Sequence, residues 1–244
     1  MSFLAELKTL YCVALKRSRG GDAAERVEAF YQGQAENFDN FRGRLLHGRR
    51  ELFAAIAAPP DGIWVDMGGG TGWNLEQLGR RIDALGRAYI VDLSPSMLKV
   101  ARRRIQQRDW KNVEAVEADA TAFRPPKGQA DVVTFSYSLT MIPDWFAAID
   151  NAFAILKPGG VIGALDFYVA RKHPGERSAR HGFFGHNFWP LFFSLNDVFP
   201  SPDHLPYLRR RFAEVHCSES RGRVPYLPLL RAPYYTFIGK KTAE

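Results

Sequence analysis

Between residues 63 and 167 short apolar runs and helical patterns take turns, and this alternation restricts the chain more than any other feature. The spacing predicts strands over 63–67, 88–92, 113–117, 131–137 and 160–167, with helices over 73–84, 95–107 and 144–156. Strands separated by helices wind into a parallel sheet with right-handed crossovers and helices on both faces. Two late apolar segments, near 212–217 and 233–238, are placed to close the sheet as an antiparallel edge, giving a doubly wound α/β fold with a mostly parallel seven-stranded sheet. Three helical stretches, about 3–15, 24–31 and 38–57, lead to the breaker Pro59-Pro60. Residues 1–60 are therefore expected to form a helical lid or substrate region on a sheet domain of residues 61–244. After Val169 a charged run, "ARKHPGERSARH", and an aromatic run, "GFFGHNFWPLFFSL", form an insertion behind the fifth strand.

A chain of 244 residues buries enough surface for one good-sized domain. Its 33 basic and 26 acidic residues leave a net charge of +7. That balance suits an anionic partner, either nucleic acid or an acidic membrane face, as well as a merely solubilising surface. The basic residues interleave with Phe and Trp and no recognised nucleic-acid module accompanies them, so no nucleic-acid partner is expected. No apolar run reaches the ~20 residues that cross a bilayer. The opening "MSFLAELKTLYCVALKRSRGG" is interrupted by Glu6 and Lys8 and lacks a small-residue cleavage pattern, so it reads as mature sequence. Cys12 and Cys217 have no His or Cys neighbours at ligand spacing, which predicts neither a disulfide framework nor a metal site and fits a reducing cytoplasm.

The first strand runs into "IWVDMGGGTGWNLEQL", a glycine turn at the strand end where open α/β sheets bind nucleotide-like ligands. A dinucleotide fingerprint would need glycine where Trp73 stands, so that pattern fails. The spacing that fits is Asp-x-Gly-x-Gly-x-Gly, at Asp66, Gly68, Gly70 and Gly72. Glycine backbone admits a close ligand, and a carboxylate beside it suits a cationic amino-acid group better than a pyrophosphate. Asp92 ends the second strand at the offset of a ribose-binding carboxylate, with Leu93 and Met97 placed to flank a base; the alternative is that Asp92 caps the helix from Ser94. Asp119 ends the third strand in "EADATAF".

These three strand ends resemble the cofactor motifs of class I S-adenosylmethionine-dependent methyltransferases. The resemblance implies that fold, with S-adenosyl-L-methionine as cofactor and S-adenosyl-L-homocysteine as product. It carries the glycine turn, including Gly69 and Asn74, onto the cofactor, and Asp119 onto the adenine amino group with the Ala120 backbone alongside. In this superfamily the end of the fourth strand faces the transferable methyl, so in "FSYSLTMIPDW" Ser136 is assigned to the cofactor, and Tyr137, Ser138 and Met141 to the acceptor pocket. No Asn-Pro-Pro-Tyr-like signature appears there, which argues against methylation of a base or a glutamine amide. Displacement at a sulfonium neutralises a cation, so positioning and exclusion of water carry most of the reaction. A neutral amine needs little more; Tyr137, Tyr168 and Asp166 are the candidates to hydrogen-bond it or accept its proton.

The stretches "FRGRLLHGRRELF", "SYSLTMIPDWF", "LDFYVARKHPG", "FWPLFFSLNDVF", "HLPYLRRRF" and "VPYLPLLRAPYY" are similar to the methyltransferases of betaine-lipid synthesis, from about residue 25 onward. That likeness implies trimethylation of the homoserine amine of diacylglyceryl-homoserine, a partner enzyme that makes this lipid, and peripheral attachment to the inner, anionic face of the membrane. The substrate's carboxylate then needs a cation, which Arg177, Arg180 or His181 supplies. Phe38-Asp39 departs from the expected Tyr-Asp, leaving Tyr31 to provide an aromatic hydroxyl for the cofactor. Arg42, His47 and Arg49 either line the cofactor entrance or form an ordinary helix surface. The aromatic run is either a membrane-docking block behind a basic collar or a core helix. Phosphatidylethanolamine or a soluble amine as acceptor, and a binding module without turnover, are the competing readings.

Overall fold

The computed structural model describes residue 28 and residues 45–175, 179–195, 197–225 and 227–242. Seven strands form one sheet: β1 (Ile63–Met67), β2 (Arg87–Asp92), β3 (Val113–Glu117), β4 (Ala130–Ser136), β5 (Leu156–Phe167), β6 (Ala213–Val224) and β7 (Leu227–Lys240). Their order is β3-β2-β1-β4-β5-β7-β6. The first five pair in parallel, and β7 runs antiparallel to both β5 and β6. Every residue of β1 is buried, which is why this central strand reads as a continuous apolar run with one acid rather than an alternation.

The described helices are α1 (Arg49–Ala55), α2 (Trp73–Glu76), α3 (Pro95–Gln107), α4 (Trp145–Ile155), α5 (Phe183–Ser194) and α6 (His204–Arg211). The expected helix over 73–84 is split. Gly79 takes a φ of 55°, and the chain continues as a 3₁₀ turn over Gly79–Ala84. The start of α3 follows from its sequence: Ser94 Oγ accepts the Met97 N–H at 3.2 Å, and Pro95 sits where its missing N–H costs nothing. The late hairpin is longer than its apolar segments because β6 is an edge strand with half-exposed polar residues.

Helices cover both faces of the sheet. Leu52, Phe53, Ile56, Leu98, Trp189 and Phe193 pack on one face, and Ala148, Ile149, Ala152, Leu205 and Leu208 on the other. Phe53 stacks on Trp64 at 5.6 Å, and the Trp64 indole N–H donates to Thr134 Oγ1 at 3.0 Å. Side chains buried this way contribute about 1.5–3 kcal/mol each. Packing therefore continues across Pro59-Pro60, since Leu52, Phe53 and Ile56 share a core with Trp64 and Leu165. The helices expected near 3–15 and 24–31 lie outside the described residues except for Glu28.

Candidate active site

β1 lies between β2 and β4, the point where the winding of the sheet reverses, and such sheets bind ligands beyond the strand ends at this switch. A cavity of about 290 Å³ opens there. On one side its wall is Gly68 after β1, Asp92 and Leu93 after β2, and Asp119, Ala120 and Thr121 after β3. The other side comes from the segment after β4, with Tyr137, Ser138, Met141, Ile142, Pro143 and Asp144.

The glycine turn is folded against its own chain. Gly68 N–H and Gly69 N–H both donate to the Val91 carbonyl, at 2.8 and 3.0 Å. Gly68 has a φ of 66°, and a Cβ there would stand 2.4 Å from Ser138 Cβ. Ser138 Oγ in turn donates to the Met67 carbonyl at 2.8 Å. Asp92 ties the turn to α3: Oδ2 accepts the Gly70 N–H at 2.8 Å and Oδ1 the Ser94 N–H at 2.9 Å. Burial pushes the Asp92 carboxyl up, while the Ser94 and Gly70 N–H groups hold it back. The helix cap is Ser94, so Asp92 is released to face the cavity. Met97 is buried beneath the turn, 3.0 Å from where a Gly70 Cβ would be, and is not part of the wall.

Asp66 lies behind the turn. It is fully buried, and accepts from Asn74 Nδ2 at 3.0 Å and from Thr134 Oγ1 at 2.7 Å. Burial nevertheless raises its pKa to about 6. Asn74 Oδ1 and Ser136 Oγ are buried and take no hydrogen bond among the described residues. The register pairs Asp66 with Thr134 and Met67 with Phe135, so one step further Ser136 stands across from Gly68. Buried oxygens left unpaired beside a glycine turn are acceptors waiting for a donor. At the third strand, Asp119 Oδ1 accepts both the N–H and the hydroxyl of Thr121 at 2.8 Å.

Tyr137 is a non-glycine residue held at a φ of 56°, a backbone state that costs energy and concentrates at functional sites. Its N–H donates to the Leu165 carbonyl and its hydroxyl to the His47 carbonyl, both at 2.7 Å. Burial pushes that hydroxyl well above its ordinary pKa. The Arg49 guanidinium lies over the rings of Tyr137 and Trp73, at 5.5 and 5.3 Å. The Tyr137 ring is thus wall, with its hydroxyl already occupied. His47 itself turns to the hairpin, where Nε2 donates to the Arg223 carbonyl at 2.9 Å.

Two expected catalytic groups stand elsewhere. Asp166 is fully buried; it accepts from Thr140 Oγ1 and Phe167 N–H at 2.8 Å and from Thr140 N–H at 3.1 Å. Burial lifts it to about 7. It fastens the 3₁₀ turn Leu139–Met141 that brings Met141 to the cavity. Tyr168, one residue past Phe167, belongs to the opposite core, where its hydroxyl donates to Glu219. Arg180 and His181 meet Arg171, Lys172 and His173 around a second cavity that shares no wall residue with the first. Tyr31, Arg42 and Arg177 lie outside the described residues.

Sequence reasoning passed over Thr121, Ile142, Pro143 and Asp144. Asp144 precedes α4 like a cap, yet makes no side-chain cap bond and faces the cavity. Glu28 was also missed: Oε2 accepts from Ser94 Oγ at 2.6 Å and Ser96 N–H at 3.2 Å, and Oε1 from Ser96 Oγ. A lone acid in a helical stretch carries no signal for such a long-range contact.

Residues 65–160 match the family model described as a methyltransferase domain. The fold is that of the S-adenosylmethionine-dependent methyltransferases. The ubiquinone/menaquinone biosynthesis C-methyltransferase of Pseudomonas putida is 30% identical over 150 residues, 59% of this chain and 59% of that protein. The chain thus spans about three-fifths of the length of the curated relatives it matches. Among solved structures, the N-methyltransferase NodS of Bradyrhizobium japonicum in complex with S-adenosyl-L-homocysteine superposes with a TM-score of 0.60 at 14% identity, covering 83% of this chain and 88% of that one. The [4+2]-cyclase SpnF superposes with a TM-score of 0.64 at 15% identity, covering 95% and 98%.

The cofactor this fold supports is S-adenosylmethionine, and the residues present fit it. Asp92, which accepts backbone N–H groups of Gly70, Ser94 and Leu93, still has a face on the cavity for a ribose hydroxyl. Leu93 and Ala120 offer apolar surface to the base beside Asp119. The unpaired Asn74 and Ser136 oxygens, with Asp66 behind them, suit an ammonium by chemistry, while none of the three is part of the cavity wall.

Proposed function

We propose that this protein transfers the methyl of S-adenosylmethionine to the homoserine amine of diacylglyceryl-homoserine, three times in succession, while bound peripherally to the inner face of a membrane. The observation that carries the amine reading is the acceptor wall. Tyr137 presents a ring whose hydroxyl is committed to the His47 carbonyl, and Met141, Ile142 and Pro143 continue an apolar surface. Such a wall offers one carboxylate, Asp144, in an otherwise apolar surface, and an amine brings its own lone pair. Asp144, on the same side, is placed to take the amine's proton and to face the positive charge left by each methylation. S-adenosylmethionine supplies an electrophilic methyl on a sulfonium. The chain's part is to orient the acceptor, through Tyr137 and Met141.

A second reading has one specific support, the relatives named as C-methyltransferases of quinone biosynthesis. Carbon methylation of a ring requires removal of a ring proton, and Asp144 is the residue of the acceptor wall that would do it. Purified protein with labelled cofactor is offered diacylglyceryl-homoserine, phosphatidylethanolamine and a demethylated quinol in detergent micelles, and products are weighed by mass spectrometry. One, two and three methyl additions on the homoserine lipid alone are expected. Transfer to the quinol alone replaces the amine reading with the carbon one. Cofactor binding without transfer to any of the three leaves a soluble amine or a non-catalytic module.

A further inference from the structure

The second cavity, about 290 Å³, is walled by Arg171, Lys172, His173, Pro174, Arg180 and His181. Among the described residues Arg171 pairs with Asp203 at 2.6 Å, while Lys172 and Arg180 have no acidic partner. His181 Nδ1 accepts the Ala170 N–H at 3.1 Å, and burial lowers its pKa, so it stands as a neutral donor through Nε2. Cations beside a neutral imidazole make a receptor for a compact anion such as a phosphate.

This cavity adjoins the start of α5, where the rings of His181 and His186 lie 6.1 Å apart. The helix turns Trp189 and Phe193 into the core, yet its outer side is also apolar. Phe183 is 87% exposed, Leu191 67% and Leu195 50%. These positions share the i, i+4 row that Asn187 completes, so they form a ridge along one side of the helix. Beyond the helix, Phe199 is 59% exposed and its N–H donates to the Thr140 carbonyl at 2.8 Å, directly before cavity residue Met141. Exposed apolar side chains thus stand both beside the basic cavity, at Phe183, and beside the rim of the active site, at Phe199.

We infer that this face is a docking surface for an anionic phospholipid bilayer, with the cavity of Lys172, Arg180 and His181 holding a headgroup phosphate and the ridge of Phe183, Leu191 and Leu195 entering the acyl boundary. Charge complementarity fixes the occupant: cations sit at one end of the ridge, and the whole chain is basic. The inference deepens the lipid reading by assigning the surface that brings the acceptor to the site, and it is tested without turnover, so either can fail alone. It also separates the basic run from the substrate carboxylate, since Arg180 and His181 belong to a cavity distinct from the cofactor's.

The test is sedimentation of the full chain with phosphatidylcholine vesicles, with and without phosphatidylglycerol, while calorimetry with S-adenosylhomocysteine reports folding. Binding is expected only with phosphatidylglycerol. The double variant Lys172→Gln/Arg180→Gln should lower partitioning about thirtyfold. Phe183→Ser/Leu191→Ser should lower it at least about tenfold. Both should retain wild-type cofactor affinity. Equal binding to neutral vesicles, wild-type partitioning by both variants, or no vesicle binding by the wild type would each overturn the inference. Release of the wild type by inorganic phosphate at constant ionic strength would also overturn it, in favour of a free anion as occupant.

Discussion

At the scale of single residues Asp92 holds the cavity wall together, because its two oxygens join the glycine turn, α3 and the cavity. Asp92→Asn keeps one oxygen but loses the charge that strengthens bonds to ribose hydroxyls. It should weaken S-adenosylhomocysteine about tenfold to a hundredfold by calorimetry, with little change in melting. Asp166 makes a different prediction. Its folded pKa of about 7 lies above the ordinary 3.8, so the folded state holds this proton more tightly. The stability it contributes is fully present below about pH 4 and is lost as pH rises through about 7. Asp66, raised to about 6, acts in the same direction. Urea midpoints of the wild type should fall between pH 4 and 7, and Asp166→Asn should flatten part of that slope. Unchanged slopes in the variant would remove Asp166 as the source. Asp92 and Asp119 were legible as cavity-lining residues because they stand at or just past strand ends; Tyr168 lies off the cavity, since one step along the chain reverses the face a side chain takes.

The secondary-structure elements show where periodicity suffices. The strand over 63–67 and the helix over 95–107 have the bounds their patterns predict, because the first is buried on both faces and the second has a Ser-Pro start. The 73–84 helix breaks because nothing in apolar spacing registers the positive φ of Gly79. The aromatic run admitted two readings, a core helix and a docking block; Trp189 and Phe193 of α5 enter the core, while Phe183 and Leu191 are exposed. Gly163 fixes how closely α1 approaches β5. A Cβ there would be 2.3 Å from Ile56 Cδ1 and 3.3 Å from Leu52 Cδ1. Gly163→Ala should therefore cost about 1–3 kcal/mol in urea unfolding, by forcing the end of α1 off the sheet. Because α1 carries Arg49 and follows His47, the same variant should also weaken cofactor binding.

For the whole molecule, the cavity is walled by the ends of β1, β2 and β3 and the segment after β4, so a cofactor held there should stabilise the sheet as one unit. At a hundred times its dissociation constant a ligand adds about 2.7 kcal/mol, which in a chain of this size raises the melting temperature by roughly 5–10 °C. S-adenosylhomocysteine should give that shift in the wild type, and Asp92→Ala should abolish it at the same concentration. The glycine turn bears on how such a chain diverges from its ancestors. A side chain at Gly68 would strike Ser138, and one at Gly72 would strike Ile90 Cδ1 at 2.7 Å; both obstacles are the protein's own atoms. A substitution at either glycine should therefore cost folding as well as any ligand contact, so these positions are constrained whatever chemistry the fold hosts. Between Tyr137 and Asp144 the wall is different in kind: Pro143 and Asp144 alone are exposed, so they are the positions that packing leaves free to change while the fold stays intact.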